Sequence, residues 1–289
     1  MSPLALALVL AAAGIHAYWN YLLKRMGAGA AAMWMYGLLS AICYAPVALW
    51  LIAFRHPHVP IAGYVFIFGS ALLHIGYFLF LQRGYREGDL SIVYPVARGT
   101  GPIIATVGAV LILKEQPTPI AVLGTLLIAA GIFLLAGGLH FFTTPSARAV
   151  HAALRYGTIT GLFIGLYTLW DKHAVSTLLV PPILMDWGNS LVRSLLLAPV
   201  GLARWKDVGY HWTRHRWPLI AIGILSPLSY ILVLTAMVFT PVSYVAPARE
   251  IGILIGTAMG TQLLAEGHAP HRLAGAAAMV GGVIALALG

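Results

Sequence analysis

Ten long apolar stretches, separated by short polar ones, run the length of the chain. They fall near 3–23, 30–54, 60–82, 90–113, 118–138, 153–171, 178–203, 217–239, 243–264 and 271–288. A hydrocarbon core about 30 Å thick takes roughly 20 residues of helix to cross, so the pattern predicts ten transmembrane helices joined by short loops. The longest polar stretch is 143–152, TTPSARAVHA, in the middle of the chain, and a second polar cluster runs from Arg204 to Arg216. The apolar run Leu4 to Ala13 has no basic segment before it, and apolar sequence continues to Leu23. It therefore reads as a first span rather than a cleaved signal peptide.

The pattern is written twice. Arg98, Glu115, Gly124 and Gly131 recur as Arg249, Glu266, Gly275 and Gly282, each pair 151 residues apart. Lys24 recurs as Lys172 and Pro46 as Pro199, at slightly different offsets. Residues 1–142 form one five-helix repeat, 143–152 a linker and 153–289 a second repeat. An odd number of spans inverts the second copy, so the expected fold is all-α, two inverted five-helix repeats. Many secondary transporters are built this way, with the substrate site near mid-membrane between the copies.

Composition agrees. Of 289 residues, 60% are hydrophobic and 9% charged, with mean hydropathy +0.89, against roughly 25% charged in soluble proteins. One cysteine, Cys43, excludes an internal disulfide or a Cys-based metal or redox site. The eleven His residues include no HExxH motif, so neither a metal nor a cofactor is expected. Without a nucleophile–base or metal motif, an enzyme is not expected either.

The net charge of +9 does not point to nucleic acid, because the basic residues sit at span ends. Loops after odd-numbered spans, with the first residues of the spans that follow them, hold eleven of them, and loops after even-numbered spans three. The positive-inside rule then places both termini outside.

Charges within spans are the first functional candidates, since each costs about 2.5–3.5 kcal/mol at a helix centre and normally faces a bundle interior or a wet cavity. Arg98, Arg249 and Glu250 occupy matching places in the two repeats, just after a proline. Asp186 and Arg193, seven apart, suit an internal ion pair. Pro95 and Pro102 are expected to break span four, Pro247 to break span nine, and Pro227 lies in span eight. Such interruptions are tolerated where neighbours or cavity water satisfy the freed carbonyls.

In span one, His16, Trp19 and Asn20 share a helical face, with Lys24 one turn on. Span six offers Tyr167, Trp170 and Asp171 at the same spacing. Span three adds His74 and Tyr77, span four Tyr94, span eight Tyr230 and span nine Tyr244. Any one of these aromatics could be ordinary packing or an interfacial belt residue. Together they outline a cavity in which the arginines would hold a carboxylate and the aromatics would form a wall. His16 and His74, whose imidazoles ordinarily titrate near neutral pH, are proton-coupling candidates. Spans five and ten are Gly/Ala/Leu-rich, and their glycines, one heptad apart, suit close helix packing or a dimer contact. Glu115 and Glu266 stand at the membrane edge as solvated or capping residues.

The stretches YPVARGTGPIIATVGAVLILKEQPTPIAVLGTLLIAAGIFLL and YVAPAREIGILIGTAMGTQLLAEGHAPHRLAGAAAMVGGVIALAL resemble the drug/metabolite transporter superfamily, specifically its ten-span EamA-type members. The family's Glu after the fourth and ninth spans, followed by two Gly in the next span, is matched by Glu115, Gly124, Gly131 and by Glu266, Gly275, Gly282. The segment HAYWN with Lys24 resembles the first-span motif of one bacterial subgroup. The resemblance implies a bacterial inner-membrane exporter of small metabolites, amino acids (aromatic ones included) foremost, working by alternating access. It also implies termini inside, against the charge count. Four-span relatives use a first-span Glu to export cationic drugs, and span one here has no acidic residue.

The sequence thus points to a multi-pass membrane carrier of small polar or zwitterionic metabolites, a monomer or homodimer in the bilayer. A multidrug cation exporter and an exchanger of phosphorylated metabolites are the alternatives.

Overall fold

The computed structural model describes residues 1–26, 30–88, 90–135, 147–264 and 270–289. These are helical nearly throughout: α1 Pro3–Arg25, α2 Ala30–Trp50, α3 Ile61–Glu87, α4 Leu90–Leu111, α5 Pro119–Leu135, α6 Ala147–Ser176, α7 Pro182–Leu196, α8 Ala198–Ala203, α9 Trp205–Phe239, α10 Val242–Ala248, α11 Ile251–Leu264 and α12 Pro270–Leu288. A π-helical turn, Leu51–Arg55, ends α2. Among the described residues, α1, α3, α9 and the run Ala30–Arg55 are each long and apolar enough to cross a membrane. Large apolar side chains stand exposed on several helices, Ile61, Leu123 and Leu195 among them. Hydrocarbon accepts such a surface and water does not.

The apolar stretches and the helices correspond, with differences that have local causes. Span four does not break at its prolines, because α4 runs through both Pro95 and Pro102. Span eight likewise passes through Pro227. Its one non-helical residue is His215, three before Pro218, where the polar cluster 205–214 continues as helix and meets the span at a kink. Span seven divides at Leu197 into α7 and α8. The expected linker 143–152 lies outside the described residues up to 146, and from Ala147 onward it is already the first turns of α6. Glu266 also lies outside the described residues.

Span nine breaks after Pro247, at Arg249 and Glu250. Pro247 has no N–H to offer the Ser243 carbonyl. Beyond it the backbone tightens to three-residue bonds: Glu250 N–H to Pro247, Gly252 to Arg249 and Ile253 to Glu250, at 2.9–3.2 Å. Helix geometry of this kind recurs at hinges and strained sites.

Small residues set the close packings. In α6, Gly157, Gly161 and Gly165 lie on the α4 ridge formed by Val96, Thr100 and Ile104, and a Cβ at any of the three would collide with it. Residues four apart on both helices interdigitate there. The repeat glycines do the same for α5 and α12. Gly124 abuts the carbonyl of Gly282, and Gly131 and Gly275 abut each other's carbonyls. Spans five and ten are thus packed on each other within one chain.

Neighbour relations repeat between halves. α6 packs on α3 and α4, while α1 packs on α9 and α11; α2 lies on α7, and α5 on α12. One end of the molecule is tied by polar contacts between distant segments. The Met1 amine donates to Ala287 O (3.4 Å), and the Tyr244 hydroxyl accepts from Thr118 N–H and donates to Gly289 O (both 3.2 Å).

Candidate functional site

A cavity of about 150 Å³ lies among α1, α2, α3, α7 and α9, with α4, α6 and the α10–α11 junction at its inner end. Its charged and polar lining comes from short helical patterns. α1 supplies His16 and Trp19, α2 Tyr36 and Ser40, and α3 His74 and Tyr77. α7 supplies Asp186, Asn189, Ser190 and Arg193, spaced i, i+3, i+4, i+7 and therefore on a single face.

At the inner end three charges meet. Arg98 Nη2 lies 2.7 Å from Glu250 Oε2, and Arg249 Nε lies 3.4 Å from Glu250 Oε1. Glu250 is fully buried, and both arginines are nearly so yet reach the cavity. A buried carboxylate is tolerable only when paired and hydrogen-bonded, and here one carboxylate serves two guanidinium groups. The cluster carries a net charge of +1. Arg98 Nε and Arg249 Nη2 have no hydrogen-bond partner. The surplus positive charge at the cavity's inner end suits an anionic group. The break at 249–250 has no counterpart in α4, which runs unbroken through Arg98. It turns Arg249 and Glu250 towards the centre from consecutive positions, which a regular helix would splay by about 100°.

An aromatic cluster closes the adjoining wall. His74 stacks on Tyr167 (4.1 Å) and meets Tyr230 edge-on (5.6 Å), while Tyr77 meets Tyr167 edge-on (6.0 Å). His74 Nδ1 donates to the Ser70 carbonyl (2.9 Å), and the Asn189 amide donates to the Ser70 hydroxyl (2.6 Å). On the other side His16 and Trp19 meet edge-on at 4.9 Å, and Trp19 leans against Tyr36.

Of the residues singled out in sequence, His16, Trp19, His74, Tyr77, Arg98, Tyr167, Tyr230 and Arg249 line this cavity. Glu250 stands directly behind it, covered by the two arginines. Four lie elsewhere. Asn20 faces outward and donates to the His16 carbonyl of its own helix (2.7 Å). Tyr94 is 38% exposed and off the cavity. Trp170 stacks on Phe66 (4.2 Å) and donates to its carbonyl (2.8 Å), joining α6 to α3. Tyr244 belongs to the tied end of the molecule. Asp186 and Arg193 do not form the ion pair their spacing suits: Asp186 Oδ2 and Arg193 Nε lack partners, and both side chains line the cavity. Tyr36, Ser40, Asn189 and Ser190 also belong to the lining, and the polar face of α7 was the signal that could have revealed the last two.

Two further charges act on the backbone. Glu115 accepts from the amides of Val242 (2.8 Å) and Ser243 (2.9 Å), capping α10 across the molecule rather than its own following helix. Lys172 donates to the carbonyls of Met237 (2.7 Å) and Thr240 (2.9 Å), capping α9 just before that point. The turn between α9 and α10 is held from both sides by charge that complements each helix terminus.

Residues 3–137 match the model of the EamA-like transporter family. One solved crystal structure superposes with TM-score 0.77, covering 98% of this chain and 96% of its own at 16% identity, a likeness of fold alone. No curated protein matches the sequence.

Proposed function

We propose that this chain, whose residues 3–137 are of the EamA-like transporter family and which is accordingly a multi-pass membrane transporter of the drug/metabolite type, carries small zwitterionic or carboxylate-bearing metabolites, amino acids foremost. In this reading it has ten spans in two inverted five-helix repeats and exports its substrate from the bacterial cell across the inner membrane by alternating access. The neighbour relations that repeat between halves, and the meeting of both termini at one end, support that architecture.

The observation that carries the reading is the Arg98–Glu250–Arg249 cluster at the inner end of the cavity. A substrate carboxylate at the cavity's inner end neutralises the surplus charge of the cluster. The aromatic wall of Tyr77, Tyr167 and Tyr230 packs against the rest of the molecule, and the Asp186 carboxylate on the cavity lining suits an ammonium group. A cation-exporter reading needs a free carboxylate in the position of Glu250, and two arginines already hold it. Arg193, a third guanidinium on the cavity, favours phosphorylated substrates as the second reading; Lys172, spent on backbone carbonyls, does not add to it.

The test is flux of labelled amino acids from proteoliposomes, with and without a pH gradient. Charge-assisted hydrogen bonds are worth about 1.5–3 kcal/mol, so Arg98→Ala should lower saturable carboxylate flux by roughly ten- to a hundredfold. Size-exclusion profiles confirm folding, and Arg98→Lys should recover part of the activity. Cationic dyes moving in place of amino acids, with Arg98→Ala at wild-type rate, would overturn the reading.

A further inference from the structure

Behind the aromatic wall lies a carboxylate that the substrate site does not use. Asp171, on α6 one turn after Tyr167, is completely buried. Its Oδ2 accepts from the Tyr230 hydroxyl at 2.5 Å, and its Oδ1 has no hydrogen-bond partner. The Ser70 hydroxyl stands beside it. Tyr230 itself lines the cavity, so one hydroxyl faces both the carboxylate and whatever enters.

The surroundings leave Asp171 short of positive charge. α3 presents His74, whose Nδ1 is engaged with Ser70. α7 presents Asp186 and Arg193, and the α10–α11 junction presents Arg249, whose guanidinium borders Glu250. α4 presents Arg98, which is paired with Glu250. Lys172, next in sequence, turns away to the end of α9. Among the described residues none of these cations reaches ion-pair distance of Asp171. A carboxylate buried in this way depends on its hydrogen bonds to stay ionised.

We propose that Asp171 is a proton-binding site linked to cavity occupancy through Tyr230. When an acceptor oxygen of the substrate takes the Tyr230 O–H, the bond from that hydroxyl to Asp171 Oδ2 is lost. A proton from cavity water then binds the carboxylate and leaves it a neutral carboxyl. On substrate release Tyr230 returns to Oδ2 and the proton goes back to cavity water. Substrate and proton therefore bind together. This linkage rests on the carboxylate-ligand reading given above; the existence of a titrating Asp171 does not.

Two measurements separate the parts. In weakly buffered detergent solution, a pH dye reports protons taken up when L-phenylalanine or 3-phenylpropionate is added to purified protein. The wild type should take up close to one proton per bound ligand. Its Kd should change by about tenfold per pH unit, the limit for one linked proton. Asp171→Asn should still bind and still catalyse substrate counterflow, with pH-independent affinity and no uptake. Tyr230→Phe should bind more weakly and also lose the uptake. Equal uptake in wild type and Asp171→Asn, or pH-independent binding by the wild type, overturns the proposal.

Infrared difference spectroscopy of the ligand-free protein is the second measurement. A protonated-carboxyl band should titrate with pH, vanish in Asp171→Asn and shift its midpoint in Tyr230→Phe. No such band overturns the proposal whatever the ligand. A band with these properties, in a protein that binds neither compound, upholds the proton site and removes the carboxylate reading instead.

Discussion

Glu115→Ala tests whether the α9–α10 turn is held by charge. The wild-type carboxylate receives two backbone amides, Val242 at 2.8 Å and Ser243 at 2.9 Å, from residues that are themselves buried. These are orphan donors of a helix N-terminus, where the helix dipole adds to the attraction. A hydrogen bond to a charged group contributes about 1.5–3 kcal/mol. Glu115 is half-exposed and water can reach the vacated amides, so the loss for the pair should fall near 2–4 kcal/mol rather than twice the single value. At roughly 2–4 °C per kcal/mol for a chain of this order of size, the melting temperature should drop by about 4–16 °C. Glu115→Gln keeps one acceptor oxygen and should lose less than half as much. The chain carries its own reporter, because Cys43 is its single thiol and is half-buried. Thermal unfolding in detergent can be followed with a thiol-reactive dye. An alanine variant that melts within a degree or so of wild type would refute the cap.

Three other outcomes follow from the packing and the charges. Gly131→Ala drives a methyl into Met279 and the Gly275 carbonyl and should cost about 1–3 kcal/mol, whereas Gly281→Ala, with open space around it, should leave the melting temperature unchanged. Glu250→Gln leaves Arg98 and Arg249 together without a counterion, so the variant should melt lower than wild type and recover more stability on adding chloride or acetate; equal salt responses would argue against the shared carboxylate. Trp170→Phe removes the hydrogen bond to Phe66 and should cost about 1 kcal/mol without changing substrate Kd in binding titrations, since Trp170 stands off the cavity.

Helical spacing proved informative about which residues share a face and silent about what that face meets. His16 and Trp19 reach the cavity, but Asn20, only one residue on, faces outward. Tyr167 lines the cavity, whereas Trp170 reaches across to Phe66. The difference is the position of the neighbouring helices, which one stretch of sequence does not contain. Arg98, Arg249 and Glu250 were legible because hydrocarbon makes a buried charge expensive, so charges within spans are drawn to the interior. Asp186 and Arg193 carry the same signal, yet a seven-residue spacing fits an ion pair as well as a shared lining face. Glu115 was recognisable as a membrane-edge residue of each repeat, but the helix it caps lies 127 residues further along the chain. The paired glycines were the most direct reading, because a missing side chain at heptad spacing has few uses other than close approach.

In the two-repeat reading proposed above, the chain would offer a ligand two matching half-sites, and a perfectly two-fold cavity would hold a molecule equally well in either of two reversed orientations. Arg98 and Arg249 respect that equivalence. The residues that follow them do not: Glu250 has Gly99 as its counterpart. With a single carboxylate between two like guanidinium groups, held at 2.7 Å from one and 3.4 Å from the other, the arginines are chemically alike and electrostatically distinct. A ligand entering head-first meets a different environment from one entering tail-first. In that reading one glycine-to-glutamate difference would give the cavity a direction, so that a molecule with two unlike ends could be told from its own reversal.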